Sequence, residues 1–361
     1  MGGHAYLAPS AASTWVNCPG YPSMTARFPS EDSAASLEGV KAHGVAAAYV
    51  TLGEQFAATC DGTPEMMEGA KMYADYVKRV EVEDGKFSIF RVENKIAATD
   101  VHPSECEGTP DLWAWSEEAQ MLHVFDYKFG HGFVDAVKNW QMITYASGAA
   151  KLITPAEKLF KVKLHIIQPR CYRAEGPCRS WQIRSDGLAE YVRILAESAS
   201  KATAENPRVY AGAHCTYCPA RHVCPSLHRR AMESVDYSEE AIPLELDDKH
   251  LGAELAWLKD AKKTLETRLS GLEETVFSRV ASGKNIPGWR VQQSQGRLEW
   301  TADRERILKR AGFANMNVLK EAELLTPTQV AKLGLVVSDL SERKSGKNEL
   351  VPDGDATKYF S

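Results

Sequence analysis

The chain has 361 residues, 44% of them hydrophobic and 25% charged, which suits a soluble enzyme and is enough for two domains with substantial cores. Its formal net charge of −5 excludes a uniformly basic nucleic-acid coat, so any path for DNA must be local. No stretch approaches the roughly 20 apolar residues of a membrane span. Met1-Gly2-Gly3-His4 lacks the basic region and apolar core of a secretory signal, which points to the cytoplasm and argues against disulfides.

In chain order, Cys18 stands alone in Thr14-Trp15-Val16-Asn17-Cys18-Pro19. Phe87 to Glu93 reads as the first core strand. Gly108-Thr109-Pro110-Asp111 follows, and fifteen residues after its aspartate comes Asp126-Tyr127-Lys128. Between them lies a predicted β-hairpin: apolar Asp111 to Trp115, a polar turn Ser116 to Gln120, and a second apolar run Met121 to Phe129. Strand side chains alternate, so Asp126 and Lys128 share a face and Tyr127 takes the other. Two carboxylates beside an amine suit phosphodiester hydrolysis, which needs hard oxygen ligands for Mg²⁺ or Mn²⁺ and a cation near the attacking water. A helix over 136–152 places Gln141 and Tyr145 one turn apart on one face. Lys161 to Gln168 reads as the next strand and Gly187 to Ala204 as the next helix. Asp-x-Lys or Gln-x-x-x-Tyr alone is common on ordinary surfaces; their order along compatible elements carries the weight.

Two local basic runs qualify as phosphate contacts. Lys161, Lys163, Arg170, Arg173, Arg179 and Arg184 face one acid, Glu175, and Arg208, Arg221, Arg229 and Arg230 follow with none between them. Tyr172 and Trp181 among the arginines suit stacking on unpaired bases, or the inside of a hairpin. Cys215-x-x-Cys218-x-x-x-x-x-Cys224 with Cys18 could close one four-thiolate site; Cys60, Cys106, Cys171 and Cys178 read as free thiols, and His214 and His222 as bystanders. A domain boundary is placed at residue 235, before an acidic, turn-rich stretch, Tyr237 to Asp248. A long amphipathic helix follows, in which Leu251, Leu255, Leu258, Leu265, Leu269, Leu272 and Val276 keep alternating three- and four-residue steps, interrupted by Lys262. Packing within the chain is the expected use of that seam. Beyond it, a small hairpin is predicted over 286–300 around Gln295-Gly296, with Trp289 and Trp300 in its core. A capped helix is predicted over 326–333, and a mobile polar tail over 341–361. No Gly-x-x-x-x-Gly-Lys-Ser/Thr loop is present, so no helicase is encoded.

Gly-Thr-Pro-Asp, Asp-Tyr-Lys and Gln-x-x-x-Tyr resemble motifs II, III and IV of RecB-like nucleases in the PD-(D/E)xK superfamily. Leu37-Glu38-Gly39-Val40-Lys41-Ala42-His43 resembles the helical motif with which that branch opens. The resemblance implies an α/β restriction-endonuclease-like core, a mixed sheet flanked by helices in αβββαβ order, with a mainly helical C-terminal module. It implies a metal site of His43, Asp111, Asp126 and the Tyr127 backbone carbonyl, with Glu93 where the family often keeps an acid. Lys128, Gln141 and Tyr145 complete the expected catalytic set, and Arg170, Arg173, Arg179, Arg184 and Arg221 are the expected DNA contacts. The one-plus-three cysteines resemble the 4Fe-4S staple of AddAB-type and some CRISPR-associated nucleases, which joins the ends of the nuclease domain, 1–235; zinc is the competing occupant. As a whole the chain resembles a RecB-like group common in phage and prophage genomes. That implies an exonuclease acting on DNA ends or single strands in recombination or DNA processing, in the host cytoplasm, beside a strand-annealing protein or a helicase. The other readings are a structure-specific endonuclease and a non-catalytic DNA-binding or assembly protein on the same fold.

Overall fold

The computed structural model describes residues 5–28, 34–155, 159–236, 247–314, 316, 318–320, 323–333 and 335–352. Two compact units divide the chain, Met1–Arg268 and Leu269–Ser361. The division falls inside a long helix rather than at residue 235, and most of the acidic stretch 237–248 lies outside the described residues. Among the described residues no helix is long and apolar enough to cross a membrane.

The first unit is a mixed α/β structure. Helices α1 (Ala34–Leu52) and α2 (Pro64–Glu83) precede strands β1 (Ile89–Val92), β2 (Leu112–Ser116) and β3 (Met121–Tyr127). Then come α3 (Trp140–Ala150), β4 (Lys161–Ile167), β5 (Cys178–Arg184) and α4 (Ser185–Ala202). The five strands form one sheet in chain order, antiparallel throughout except for the parallel pair β3–β4. A parallel pair cannot be joined by a tight turn, so the chain must cross over, and α3 is that crossover. The expected hairpin is β2–β3, with Leu112 opposite Phe125 and Ser116 opposite Met121.

Every residue of β2 and β3 is buried, because helices cover both faces of the sheet. On one face Trp113, Leu122, Val124, Leu164 and Ile166 pack with Met142, Ile143 and Ala146 of α3 and Leu195 and Ala199 of α4. On the other, Leu112, Ala114, Phe125 and Tyr127 pack with Ala42, Val45 and Ala46 of α1 and Tyr73 and Val77 of α2. The alternation that separates Leu122 and Val124 from Phe125 and Tyr127 also sends Asp126 towards α3 and Tyr127 towards α1 and α2.

Helix α5 (Pro225–Asp236) follows, then α6 (Asp248–Ala281), which carries the leucine seam. The expected burial of that seam within the chain is not what the structure has: Leu251, Leu255, Leu258, Leu265, Leu269 and Leu272 are all exposed. A different face of α6 is held down, with Ala261, Thr264 and Thr267 buried and Asp260 paired to Arg230.

The second unit has a core of Ile307 and Ala311 from α7 (Arg304–Phe313), Val330 from α8 (Pro327–Lys332), and Val318, Leu335 and Val337 from the connecting segments, with Trp300 packed against it. The predicted capping box on α8 is present: Thr326 Oγ1 accepts from the Gln329 N–H, and Gln329 Oε1 accepts from the Thr326 N–H. Two expectations for this unit are corrected. Residues 289–300 are one strand, β6 (Trp289–Trp300), not a hairpin, and its partner is β7 (Ser341–Pro352), inside the segment expected to be a mobile tail. Backbone pairing across some forty intervening residues sets this ribbon, and a polar sequence carries little trace of its partner. Residues 353–361 lie outside the described residues.

A methyl group on Gly69 of α2 would collide with the Tyr127 hydroxyl and come 3.1 Å from Pro169 Cγ. Tyr127 is fully buried beside Tyr73 and Phe129 and has nowhere to move. Gly69→Ala should therefore destabilise the protein by about 1–3 kcal/mol in urea denaturation, despite alanine's higher helix propensity.

Candidate metal centre

Strand pairing brings the chemistry to one end of the sheet. Val92 lies opposite Leu112, so Glu93, just past β1, faces Asp111, just before β2, and the Glu93 N–H donates to the Asp111 carbonyl at 3.0 Å. Antiparallel β3 returns Asp126, Tyr127 and Lys128 to the same end. The crossover helix then begins there, capped by Asn139, whose side chain accepts from the Met142 N–H.

Asp111 is the hub. Its Oδ1 lies 2.8 Å from His43 Nδ1 on α1, and its Oδ2 accepts the Tyr127 backbone N–H at 2.6 Å. Ligand atoms of His43, Glu93 and Asp111 all lie within 4.8 Å of one another, the one such group among the described residues. Glu93 takes φ +47°, a left-handed conformation uncommon for a non-glycine residue. That strain ends β1 and marks a position the surrounding structure must hold.

Asp126 stands beside this group rather than inside it. It is 2% exposed, and its Oδ1 accepts from Gln141 Nε2 at 3.1 Å. Lys128 Nζ donates to Gln141 Oε1 at 3.2 Å and lies 3.1 Å from Asp126 Oδ2. That ion pair lacks hydrogen-bond alignment, so the buried Oδ2 keeps unused acceptor capacity. Tyr145, one turn beyond Gln141, is buried, and a Cβ on Gly108 would sit 3.0 Å from its ring and 2.9 Å from Pro9. The glycine of Gly-Thr-Pro-Asp is thus a close-approach residue.

The charges are tuned against each other. Burial, then the Asp111 charge, raises the Glu93 carboxyl to about 7. Burial raises Asp126 to about 6, against the opposing pull of Lys128. Burial opposes charge on Lys128 and on His43, but neighbouring carboxylates outweigh it and both are raised. Clustered carboxyl groups beside an orphaned carboxylate oxygen fit a hard divalent cation, and the imidazole extends the fit to Mn²⁺.

Two of the expected DNA-contacting arginines serve the fold instead. Arg170 pairs with Glu38 and Glu65 and stacks on Phe129, its charge neutralised internally. Arg179, 9% exposed, donates to the carbonyls of Val134 and Gly176 and to Gln168 Oε1. Arg173 lies over the Phe133 ring, Arg184 pairs with Asp186, and Arg221 donates to the Cys218 carbonyl. Trp181 packs edge-on to Tyr191, whereas Tyr172 is 83% exposed. Arg179 exposes a residue that sequence reading missed. Buried Gln168 donates to the carbonyls of Gly130 and Gly132 and accepts from Val134 and Arg179, pinning the loop that follows Lys128. Nothing in the local pattern singles out a glutamine whose four partners lie elsewhere.

The cysteines gather in a separate place. The Tyr210 N–H donates to Cys18 Sγ and the Gly212 N–H to Cys215 Sγ, both at 3.4 Å, so the distant Cys18 meets the loop of the triplet. Burial, with smaller contributions from Cys215, Cys18 and Cys224, pushes the Cys218 thiol up to about 11. The four sulfurs are not drawn within 4.8 Å of one another. His214 is held above its ordinary value mainly by a hydrogen bond with Cys18, while His222 packs against Phe28.

Residues 4–358 match the model of a family described as a protein of unknown function, DUF2800. The chain belongs to the DUF2800 family. The match to the DUF2800 model spans most of both compact units.

The raised carboxyls have a consequence for stability. Between about pH 4 and 7 the native metal-free protein binds more protons at Asp126 and Glu93 than the unfolded chain does, so the stability these two groups contribute falls as pH rises through that window. Glu93 is only partly desolvated at the end of its strand and remains exposed to solvent, so screening makes its share the smaller. Buried His123 and His165, held neutral by desolvation, contribute in the opposite sense, so the Asp126 share is read by comparison: in EDTA, wild type should lose melting temperature relative to Asp126→Asn between pH 5.5 and pH 7.5.

Proposed function

We propose that this protein is a metal-dependent deoxyribonuclease of the PD-(D/E)xK type, acting as an exonuclease on DNA ends or single strands. The observation that carries the reading is the meeting of His43, Glu93 and Asp111 with the Asp126–Lys128–Gln141 network at one sheet end. A restriction-endonuclease-like core requires acids at the ends of adjacent strands and a lysine two residues after the second acid, and the mixed five-stranded sheet supplies both.

In this reading His43, Asp111 and Asp126, with the Tyr127 carbonyl, hold one or two Mg²⁺ or Mn²⁺ ions, and Glu93 joins them directly or through water. A bound cation supplies charge to the scissile phosphate and lowers the pKa of its water. The chain's own groups do the positioning. Lys128, fixed by Asp126 and Gln141, presents an ammonium that orients the attacking water and steadies developing negative charge. Asp111 aligns the His43 imidazole through Nδ1 and locks β3 through the Tyr127 N–H, which keeps Asp126 and Lys128 in register with it. Ligation requires the carboxyls and the imidazole to be unprotonated, and Glu93, Asp126 and His43 are all raised, so Mn²⁺ titration near pH 6.5 should release protons to the buffer.

Asp126→Ala and Lys128→Ala should each abolish metal-dependent cutting. The measurement is anaerobic incubation with Mg²⁺ or Mn²⁺ and end-labelled linear duplex, single-stranded and closed circular DNA. Release of nucleotides from ends alone supports the exonuclease, cutting of circles moves the reading to a structure-specific endonuclease, and binding without cutting leaves a DNA-binding or assembly protein. Variants as active as wild type would sink the site.

Cys18, Cys215, Cys218 and Cys224 are proposed to hold a 4Fe-4S cluster that ties residue 18 to the 210–224 loop, with zinc as the competitor. Two backbone N–H donors aimed at Sγ support it, since such bonds stabilise bound thiolates and tune cluster potential. Anaerobically purified protein should show broad absorbance near ~400 nm that Cys18→Ala removes; a colourless, zinc-loaded sample refutes the iron–sulfur assignment. The proposed setting is phage recombination or DNA processing in a bacterial cytoplasm, beside a strand-annealing protein or helicase.

A further inference from the structure

Helix α6 carries a motif that the proposed nuclease does not use. Leu251, Leu258, Leu265 and Leu272 recur every seventh residue, and Leu255, Lys262, Leu269 and Val276 occupy the alternate seam positions. Leucine at every d position, with apolar residues at all but one a position, is the pattern of a two-stranded coiled coil. Inside one chain such a stripe should be covered. Yet Leu251, Leu255 and Leu269 are 55%, 53% and 54% exposed, and Leu258, Leu265 and Leu272 are 49%, 37% and 40% exposed. The helix is not short of partners elsewhere: Ala261, Thr264 and Thr267 lie buried on another face, and Asp260 pairs with Arg230.

We infer that α6 pairs through this seam with α6 of a second copy of the chain, in parallel, making the protein a homodimer. The flanking charges name the occupant. In a parallel pair each g residue meets the e residue five positions on in the other helix. Here Glu254 meets Lys259, an attractive pair, while the g positions Ala261 and Arg268 are held by their own chain, Ala261 buried and Arg268 donating to the Arg221 carbonyl. An unrelated helix would have no reason to carry this self-complementary set, whereas two-fold symmetry requires it of a second copy. Lys262 faces itself across the seam, and its long stem lets the ammonium reach solvent beside the leucines. A single polar a position fixes register and keeps the assembly two-stranded at some cost in stability.

The test uses the full chain in sedimentation velocity and light scattering over a range of concentrations. Wild type should run as a dimer of the 39.9 kDa chain that dissociates on dilution. Leu255→Glu with Leu258→Glu should be monomeric with an unchanged circular dichroism spectrum, since both side chains are already about half exposed. Lys262→Leu should lower the dissociation constant tenfold or more. Lys259→Glu should weaken the dimer, and Glu254→Lys added to it should restore it; an antiparallel pair would set Glu254 against Arg268 and Lys259 against Glu273, so the double exchange would weaken it further. A monomeric wild type, a dimer that survives the leucine exchanges, or a double charge exchange that fails to rescue overturns the inference. None of these readouts involves DNA cleavage, so failure of the nuclease reading leaves the test intact.

Discussion

One carboxylate ties the first unit's chemistry to its topology. Asp111 uses one oxygen to hold the imidazole of His43 on α1 and the other to take the backbone N–H of Tyr127 at the end of β3. A helix, the start of one strand and the end of the next are thereby fixed to one side chain within hydrogen-bonding distance. Tyr127 completes the clasp from behind: its ring packs against Tyr73 and edge-on to His43, and Gly69 gives its hydroxyl room. The apolar layer between sheet and α1–α2 and the polar layer at the strand ends thus constrain each other. A shift of either by an ångström would separate His43 from Asp111.

The parallel β3–β4 pair supplies the second constraint. Because the chain must cross over after Lys128, the first helical turn of α3 arrives above the end of β3, and Gln141 bridges Asp126 and Lys128. An amide suits that place: it donates to the carboxylate and accepts from the ammonium, which neither an acid nor a base at position 141 would do. The loop between Lys128 and α3 needs its own anchor, and Gln168 provides it at the end of β4, the strand to which the crossover leads. Residues separated by about forty positions are thus bound because they are neighbours in the sheet.

What was legible in the sequence follows the range of the interactions. The β2–β3 hairpin, the side-chain alternation at Asp126, Tyr127 and Lys128, and the Gln141 helix depend on neighbours a few residues apart, and local pattern sufficed. His43 and Glu93 came from resemblance to a motif order, not from spacing; strand pairing brings Glu93 to Asp111, and packing of α1 on the sheet brings His43. The roles of Arg170 and Arg179 were misread because a run of arginines looks the same whether its partners are solvent phosphates or Glu38, Glu65 and buried carbonyls. The β6–β7 pairing was missed for a related reason: β7 is mostly polar and held by backbone pairing, and a polar terminal segment reads as tail.

The leucine seam of α6 separates pattern from context. Its periodicity was plain from the sequence, but periodicity states only that a partner exists, and a helix with one apolar stripe is most simply satisfied inside its own chain. The structure assigns the internal contacts to another face of the same helix, so the stripe and the packed surface are different sides of one cylinder. That leaves apolar area exposed which a solitary domain would be expected to lose or cover, since burying each leucine fully is worth roughly 1.5–3 kcal/mol. The flanking Glu254 and Lys259 then restrict which helix can complete it, because charge order along a seam discriminates among partners even where it adds little to the affinity.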